Sequence, residues 1–379
     1  MHVFISAGEP SGDLHGASLA RALQKLHPDM TLTGFGGERM RAAGCDLIYP
    51  LAEHPIMYIS GAVRAVPLLL RLRARMTADF NKRPPDAVVL IDYPGFHWHV
   101  AKRARSLGIP VVYFVAPQIW AWFSHRVRKV RANFTEVLCT LPFEEAWYRE
   151  RGVSAKYVGH PYFDELAARQ LDTEFMADRR RRGGPIVAIL PGSRQAEIDR
   201  NLELLMGAMR IVHADRPDAR FLVAAYRPKH AAQLDARLRY AGLPADVFVS
   251  RTPEVIALAD ACVAVSGSVS LELLHRGVPS AIVYRIGEAY VKLSRVFLNV
   301  PHICLVNLIA GRELFPEYLT SSIDPHGPAA DVLRWLNDPA AANSLRQELG
   351  QLFAEVGRPG ACERAARAVV DLVERRAAA

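Results

Sequence analysis

The feature that most restricts the fold of this chain is a twice-repeated alternation of short, almost wholly apolar runs with longer helical patterns. In the first half the short runs are Val3–Ala7, Thr31–Phe35, Ala87–Asp92, Val111–Val115 and Glu136–Thr140. In the second half they are Pro185–Leu190, Phe221–Ala225, Val247–Ser250, Cys262–Ser266 and Ala281–Tyr284. A strand that is apolar on both faces has to be covered on both, which is the condition of a parallel sheet between two helix layers. Helical stretches such as Leu14–Leu26, apolar at Leu19, Ala22, Leu23 and Leu26, lie between the runs. The alternation predicts βαβ units and two Rossmann-like, doubly wound α/β halves.

The halves meet where the composition breaks. Asp164–Asp178 is polar and helical, Arg179–Arg182 is basic, Gly183-Gly184 follows, and a new apolar strand begins. This predicts a first domain at 1–170, a second at 171–355 and a terminal helical segment at 356–379. The last helix, Ala361–Arg376, has Cys362, Ala365, Ala366, Val369, Leu372 and Val373 on one face. That face has to pack back on the first half or on a partner copy.

Charge narrows the partners. The 379 residues hold 47 Lys and Arg against 39 Asp and Glu, a net of +8, and half of them are hydrophobic, which excludes a disordered chain. No apolar run approaches the ~18 residues of a membrane span. The N-terminus enters a strand directly, without the features of a signal peptide. Five cysteines without a CxxC pair fit reduced, buried thiols in a cytoplasmic protein better than disulfides or a zinc knuckle. The basic excess is uneven. From Ala101 to Arg131 there are seven Lys or Arg and no acid. Arg64, Arg71, Arg73 and Arg75 are mixed with Leu68, Leu69, Leu70 and Leu72. The second cluster fits a helix lying on anionic lipid, and equally a solvated face beside a buried one. Neither cluster comes with a nucleic-acid motif, so nucleic acid is not expected as a partner.

Open α/β sheets bind ligands beyond the carboxyl ends of their strands. Four loops there are unusual. Ala7-Gly8-Glu9-Pro10-Ser11-Gly12-Asp13 opens a helix with two glycines and two acids, fitting sugar hydroxyls or a capped tight turn. Asp92, ending the run Ala87–Ile91, stands where a general base would stand; it also fits a helix cap. Leu190–Glu197 opens a helix with Gly192, Ser193 and Arg194, and its backbone N–H groups with the Arg194 fork fit a diphosphate. Ser266-Gly267-Ser268 precedes Glu272, which fits a ribose diol or a buried cap. No Asp-x-Asp metal clamp is present. His97-Trp98-His99 puts two histidines on one strand face, but with no third ligand they read as ordinary histidines.

Taken together these loops resemble the lipid-A-disaccharide synthases, glycosyltransferases of GT-B architecture. The resemblance covers nearly the whole chain. It is carried by Ala7-Gly8-Glu9 with Ser11-Gly12-Asp13, Gly36-Gly37 with Met40, Ile91-Asp92 with Pro94, and Pro117 with Trp120-Ala121-Trp122. It continues in Leu141–Glu144, Val158-Gly159-His160, Leu190–Arg194 with Glu197, Ser266-Gly267 with Leu271-Glu272, and Asn307-Leu308 with Ala310-Gly311-Arg312. It implies two Rossmann-like domains facing a cleft and transfer of 2,3-diacylglucosamine from its UDP form to 2,3-diacylglucosamine 1-phosphate (lipid X). The family inverts the anomeric centre and uses no metal or other cofactor.

The resemblance assigns Asp92 as candidate base with Glu9 beside it. Gly192, Ser193, Arg194, Ser266, Gly267, Glu272 and Asn307 would hold the UDP-sugar. Met57, Arg64, Leu68, Leu69, Arg71, Leu72 and Arg75 would face the acceptor and the cytoplasmic side of the inner membrane. A homodimer is compatible with it. The chain departs from the family pattern at Tyr58, Gly61, Gly95, His97 (for a common Asn) and Phe123 (where a basic residue is frequent), all in the acceptor half.

Overall fold

The computed structural model describes residues 1–53, 59–288 and 300–378, and only the backbone of residues 59–65. Met57 and Tyr58 lie outside the described residues, as do the side chain of Arg64 and position 61 beyond its backbone. Two parallel sheets are present. The first consists of β1 (His2–Ala7), β2 (Thr31–Phe35), β3 (Asp46–Tyr49), β4 (Ala87–Ile91), β5 (Val111–Phe114), β6 (Glu136–Cys139) and β7 (Ala155–Tyr157), in the order 3-2-1-4-5-6-7. The second consists of β8 (Ile186–Leu190), β9 (Arg220–Ala225), β10 (Ala245–Val249), β11 (Ala261–Val265), β12 (Ser280–Arg285) and β13 (Glu317–Thr320), in the order 10-9-8-11-12-13. Every residue of β1, β4, β5, β8 and β11 is buried, as their apolar sequences require. β3, β7 and β13, absent from the sequence reading, are short edge strands of three or four residues.

The chain divides into two compact units: Met1–Ala167 with Arg358–Ala379, and Ala168–Gly357. In the first, one sheet face packs Ile5 and Val89 under the helices Pro10–Leu26 and Ala361–Ala377, through Leu19, Leu23, Ala366 and Val369. The other face packs Phe4 and Val88 under the helices Ile59–Lys82, Pro94–Ser106 and Val127–Asn133. Phe4 is edge-on to Phe35 and Phe80 at 5.5 and 4.9 Å between ring centroids. In the second unit the helices Gln195–Asp215 and His326–Asn337 pack together over Ile189, Val223 and Val263.

One expectation is corrected on the second face of the first unit. Leu72, read as facing lipid, is 1% exposed and belongs to the core with Met76 and Phe80. The spacing 72, 76, 80 is one helix stripe, and that stripe points at the sheet. Leu68 and Leu69 are half-buried against the same core. Among the described side chains of this helix, the exposed large apolar ones are Val66 and Leu70.

The terminal helix packs on Pro10–Leu26. Its start at Gly360 has a φ of +92° and no capping side chain of its own. Asp164 supplies the cap from 196 residues earlier, accepting the N–H groups of Gly360, Ala361 and Cys362 at 2.5, 3.0 and 2.8 Å. Arg364 Nε donates to the Val158 carbonyl at 2.8 Å. All five cysteines are free and buried, and burial raises every thiol above its ordinary range. Among the described residues no helix is long and apolar enough to cross a membrane.

Replacing Asp164 by Ala leaves three helix-start N–H groups without their acceptor. The expected cost is about 1–2 kcal/mol, the ordinary range for losing a cap. Amide exchange in 361–377 should accelerate well beyond that in β4, a difference that hydrogen-exchange mass spectrometry reads directly.

Candidate active site

In each sheet the order reverses direction at one place, and there the loops after neighbouring strands diverge to leave a crevice. In the first sheet this is between β1 and β4, paired with Ala7 opposite Ile91. The turn Gly8-Glu9 therefore lies beside the turn Asp92-Tyr93. In the second it is between β8 and β11, with Leu190 opposite Ala264, so Pro191–Arg194 lies beside Ser266–Ser268. The four loops singled out by sequence are the four that flank the two switch points.

The turn after β4 is strained. Asp92 and Tyr93 have φ of 49° and 51°, and Val115, after β5, has 53°. A β-branched residue in this region is an outlier, and such strain persists only where surroundings impose it. Here they do. The Asp92 N–H donates to the Val115 carbonyl at 3.3 Å. The Asp92 carbonyl accepts from His97 Nδ1 at 2.6 Å and from the Tyr113 hydroxyl at 3.3 Å. His97 Nε2 is 2.8 Å from Ser6 Oγ. Because a carbonyl can only accept, the proton is on Nδ1, and neutral His97 then takes the Ser6 hydroxyl on Nε2. Complete burial holds His97 down at about 4, against the opposing bond to Asp92. The side chain thus straps β1 to the Asp92 turn.

This corrects the reading of His97-Trp98-His99 as one strand face. Pro94 sits in the first turn of the helix Pro94–Ser106, and on a helix residues two apart do not share a face. Tyr93 was also missed. Its ring lies on Gly8, where any Cβ would overlap it. Burial raises the Tyr93 hydroxyl, and the nearby Glu9 charge raises it further. Glu9 and Asp92 are both half-buried. Asp13 is not available to a sugar. It is buried and accepts the N–H groups of Gly37, Arg39 and Met40 at 2.7, 3.1 and 3.1 Å.

In the second unit Gly192 has φ +105°, and a Cβ there would meet Glu197 at 2.8 Å. The backbone N–H groups of Ser193 and Arg194, expected to face a diphosphate, donate to Glu197 Oε2 at 3.1 and 3.2 Å. Arg194 Nη1 donates to Oε1 at 3.0 Å. Glu197 thus closes a capping box on the helix Gln195–Asp215 while holding the Arg194 fork. Its spacing, three residues after Arg194, is the signal that would have found it. Ser193 and Arg194 are exposed, Gly267 is open to solvent, and Ser266 is half-buried.

Glu272 is 1% exposed. Arg169 Nη1 lies 3.0 and 3.1 Å from its two oxygens, a partner the sequence did not suggest. Asn307, expected to touch the nucleoside, is fully buried. Its amide donates to the Phe315 carbonyl and Glu317, both at 2.7 Å, and its oxygen accepts the N–H groups of Leu314 and Phe315 at 2.9 Å. Those bonds use its hydrogen-bonding capacity on the 314–317 loop. Among the described residues no cluster of three or more His, Cys, Asp or Glu has the arrangement of a metal site.

Two doubly wound parallel units, each with its loops at a switch point, have the GT-B fold of glycosyltransferases. The calicheamicin glycosyltransferase superposes with a TM-score of 0.63 at 14% identity, covering 99% of both chains. A UDP-GlcNAc 2-epimerase from Neisseria meningitidis, bound to UDP-GlcNAc, gives 0.64 at 10% identity, covering 99% of this chain and 100% of that one. Likeness at this identity speaks for fold alone. Sequence goes further. A family model described as lipid-A-disaccharide synthetase matches residues 3–372. The lipid-A-disaccharide synthase of Myxococcus xanthus is 36% identical over 377 residues, 98% of this chain and 97% of that protein. That of Thiobacillus denitrificans is 35% identical over 368 residues, 97% and 99% of the two chains. The chain belongs to the lipid-A-disaccharide synthase family, glycosyltransferases of lipid A biosynthesis.

The strap makes a prediction. His97→Phe fills the volume but leaves Ser6 Oγ and the Asp92 carbonyl short of a partner, at an expected cost of about 2–4 kcal/mol. The wild-type protein should also lose stability as pH falls. The unfolded chain binds a proton near pH 6.5, whereas folded His97 does so at about 4 and His160, buried beside His15, at about 3. Between pH 6.5 and about 4, each neutral buried histidine contributes a slope of up to about 1.4 kcal/mol per pH unit. Urea unfolding at pH 7, 6 and 5 should show a shallower acid slope in His97→Asn than in wild type.

Proposed function

We propose that the chain transfers 2,3-diacylglucosamine from UDP-2,3-diacylglucosamine to the 6-hydroxyl of 2,3-diacylglucosamine 1-phosphate. The products are the β-1,6-linked disaccharide 1-phosphate and UDP. The observation that carries this reading is the Asp92 turn: a carboxylate at the carboxyl edge of β4, on backbone strained into φ of 49° and held by buried His97 and Tyr113. Strain of this kind, maintained by three hydrogen bonds, is what positioning a reactive group demands.

In the proposed step the Asp92 carboxylate takes the proton of the acceptor 6-hydroxyl. The oxygen forms a bond to C1 of the donor sugar as the bond from C1 to the diphosphate oxygen breaks on the opposite face, so the anomeric centre inverts. Glu9, on the neighbouring turn, orients the acceptor. The negative charge gathering on departing UDP is met by the N-terminal end of the helix Gln195–Asp215 and by Arg194, with Ser193 and the open backbone at Gly192, Ser266 and Gly267. This stabilisation is supplied by the protein without a metal. Glu272 receives the ribose, with Arg169 beside it. Asn307 serves by shaping the 314–317 loop. The first unit takes the acceptor and the second the donor. The protein works at the inner face of the inner membrane, approached through the helix Ile59–Lys82 with Leu70, Arg71 and Arg75 outward.

The test is product formation followed by mass spectrometry with UDP-2,3-diacylglucosamine, lipid X and EDTA. Wild type should form the disaccharide 1-phosphate. Asp92→Asn should lower the rate by about 10²–10⁴-fold, the range for a general base, while UDP binding is retained. Arg194→Ala should weaken UDP binding by about 10–100-fold, as expected for a lost bond between charged groups. Loss of product in EDTA would sink the metal-free mechanism. UDP binding without product would mean that the acceptor is a different lipid.

A further inference from the structure

Two of the sequence motifs, Pro117 with Trp120-Ala121-Trp122 and Leu141–Glu144, have no part in the chemistry described so far. The structure joins them. The first lies on the loop after β5, and the second opens the helix Pro142–Arg149 after β6. β5 and β6 are neighbours, with Phe114 opposite Leu138, so the two loops leave the sheet side by side.

Glu144 is the link. It is 2% exposed, and Trp120 is 3% exposed. Its Oε2 accepts the N–H groups of Thr140 and Leu141 at 2.9 and 3.0 Å, and its Oε1 accepts the Trp120 indole N–H at 3.0 Å. The Trp120 ring stands edge-on to Phe143, with 4.9 Å between centroids. All three hydrogen-bond partners can only donate, which suits an ionised carboxylate. Burial raises this carboxyl, and the bonds from Leu141, Trp120 and Thr140 oppose that rise. A helix cap needs only the two backbone N–H groups, and an exposed glutamate takes those without the cost of burial. The third donor, on a loop 24 residues earlier, goes beyond a cap. Glu197 has the same arrangement in the second unit: one oxygen takes two backbone N–H groups and the other holds Arg194. There the side chain being held belongs to the candidate site.

The loop that Trp120 anchors begins at Val115, the β-branched residue with φ of 53°. The Val115 carbonyl accepts the Asp92 N–H, and Tyr113, two residues earlier, donates its hydroxyl to the Asp92 carbonyl. Backbone in this conformation has to be restrained on both sides. On the amino side of Val115 the restraint is β5. On the carboxyl side stand Ile119, packed in the core, and Trp120, tethered to Glu144. Packing limits how far a loop can move, whereas a hydrogen bond also fixes a direction.

We propose that Glu144 is a positioning residue for the transfer reaction: by holding Trp120 against the carboxyl end of β6 it fixes the loop 115–122, and through the Val115 carbonyl it fixes the Asp92 turn. The proposal rests on the reading of Asp92 as the base. His97 holds that turn from the side of β1, and Glu144 holds it from the side of β6. Being buried, Glu144 acts through Trp120 rather than on substrate.

The experiment measures kcat, UDP binding and thermal unfolding in W120F, E144Q and W120F/E144Q, and kcat for W120F in a D92N background. W120F removes the indole N–H and keeps an aromatic ring against Phe143. E144Q sets an amide NH₂ against a donor whichever way it turns, toward Trp120 or toward Thr140 and Leu141. In W120F/E144Q the amide turns its NH₂ to the vacated side and its oxygen to the helix start, so the double variant should melt above E144Q. It should not regain activity. In W120F and in the double variant kcat should fall about 10–100-fold, the range for a misplaced reacting group, with UDP binding unchanged. In D92N the W120F substitution should cost less than about threefold, because a displaced turn matters only while it carries the base. Rates that simply follow the melting temperatures, or wild-type kcat in W120F, would make Glu144 a cap alone and overturn the proposal. A full-sized loss from W120F in the D92N background would overturn it as well. If D92N is slow and W120F is not, the base reading stands and only the tether falls. If D92N keeps the wild-type rate, the base reading falls and takes the tether with it.

Discussion

Two hydrogen-bond ladders organise everything else in this protein: β1 with β4, and β8 with β11. In each, a strand early in its unit pairs with one that arrives only after the chain has wound outward and returned. The loops beyond them are forced apart by helices that leave for opposite faces. No side chain has to create the crevice, because the crossover rule for parallel strands creates it. What side chains add is local. Glycines at 8 and 192 leave room for Tyr93 and Glu197. Carboxylates at 13 and 197 take up N–H groups at helix starts. The candidate chemistry in each unit is thus set on its most deeply buried ladder, where displacement is most costly.

The first unit adds strain to this frame. Three non-glycine residues in the left-handed region sit at the ends of two adjacent strands. The hydrogen bonds that hold them come from a histidine, a tyrosine and a carbonyl, all from the interior. His97 brings both a donor toward the Asp92 carbonyl and reach to Ser6.

Much of the fold was legible because burial on both faces writes itself into composition. Runs such as Val88–Ile91 and Cys262–Val265 have little other use. The strands that escaped, such as Asp46–Tyr49 and Ala155–Tyr157, lie at sheet edges, where half-exposure mixes polar residues into three or four positions. Site residues were legible as loops but less so as contacts. Nothing in the type of Asp13 or Asn307 says which N–H groups it will take, since those come from residues far along the chain or across a turn. His97-Trp98-His99 imitates a strand by alternation, and Pro94 decided for a helix. Leu72 and Leu70 differ by two positions, which on a helix is about 200°, enough to carry one into the core and the other into solvent.

The terminal helix places a demand on synthesis. The apolar face of Pro10–Leu26 is covered by residues 361–370, and Asp164 finds its three donors at 360–362. Topologically, the second unit is an insertion within the first. On the ribosome, residues 1–167 emerge before residues 361–377 and lack one layer of their core until that helix has emerged too. The second unit can complete its own core before that. The first unit is therefore finished only after the unit inserted within it, and a nascent chain stalled just before residue 360 displays an uncovered apolar helix for chaperones to hold.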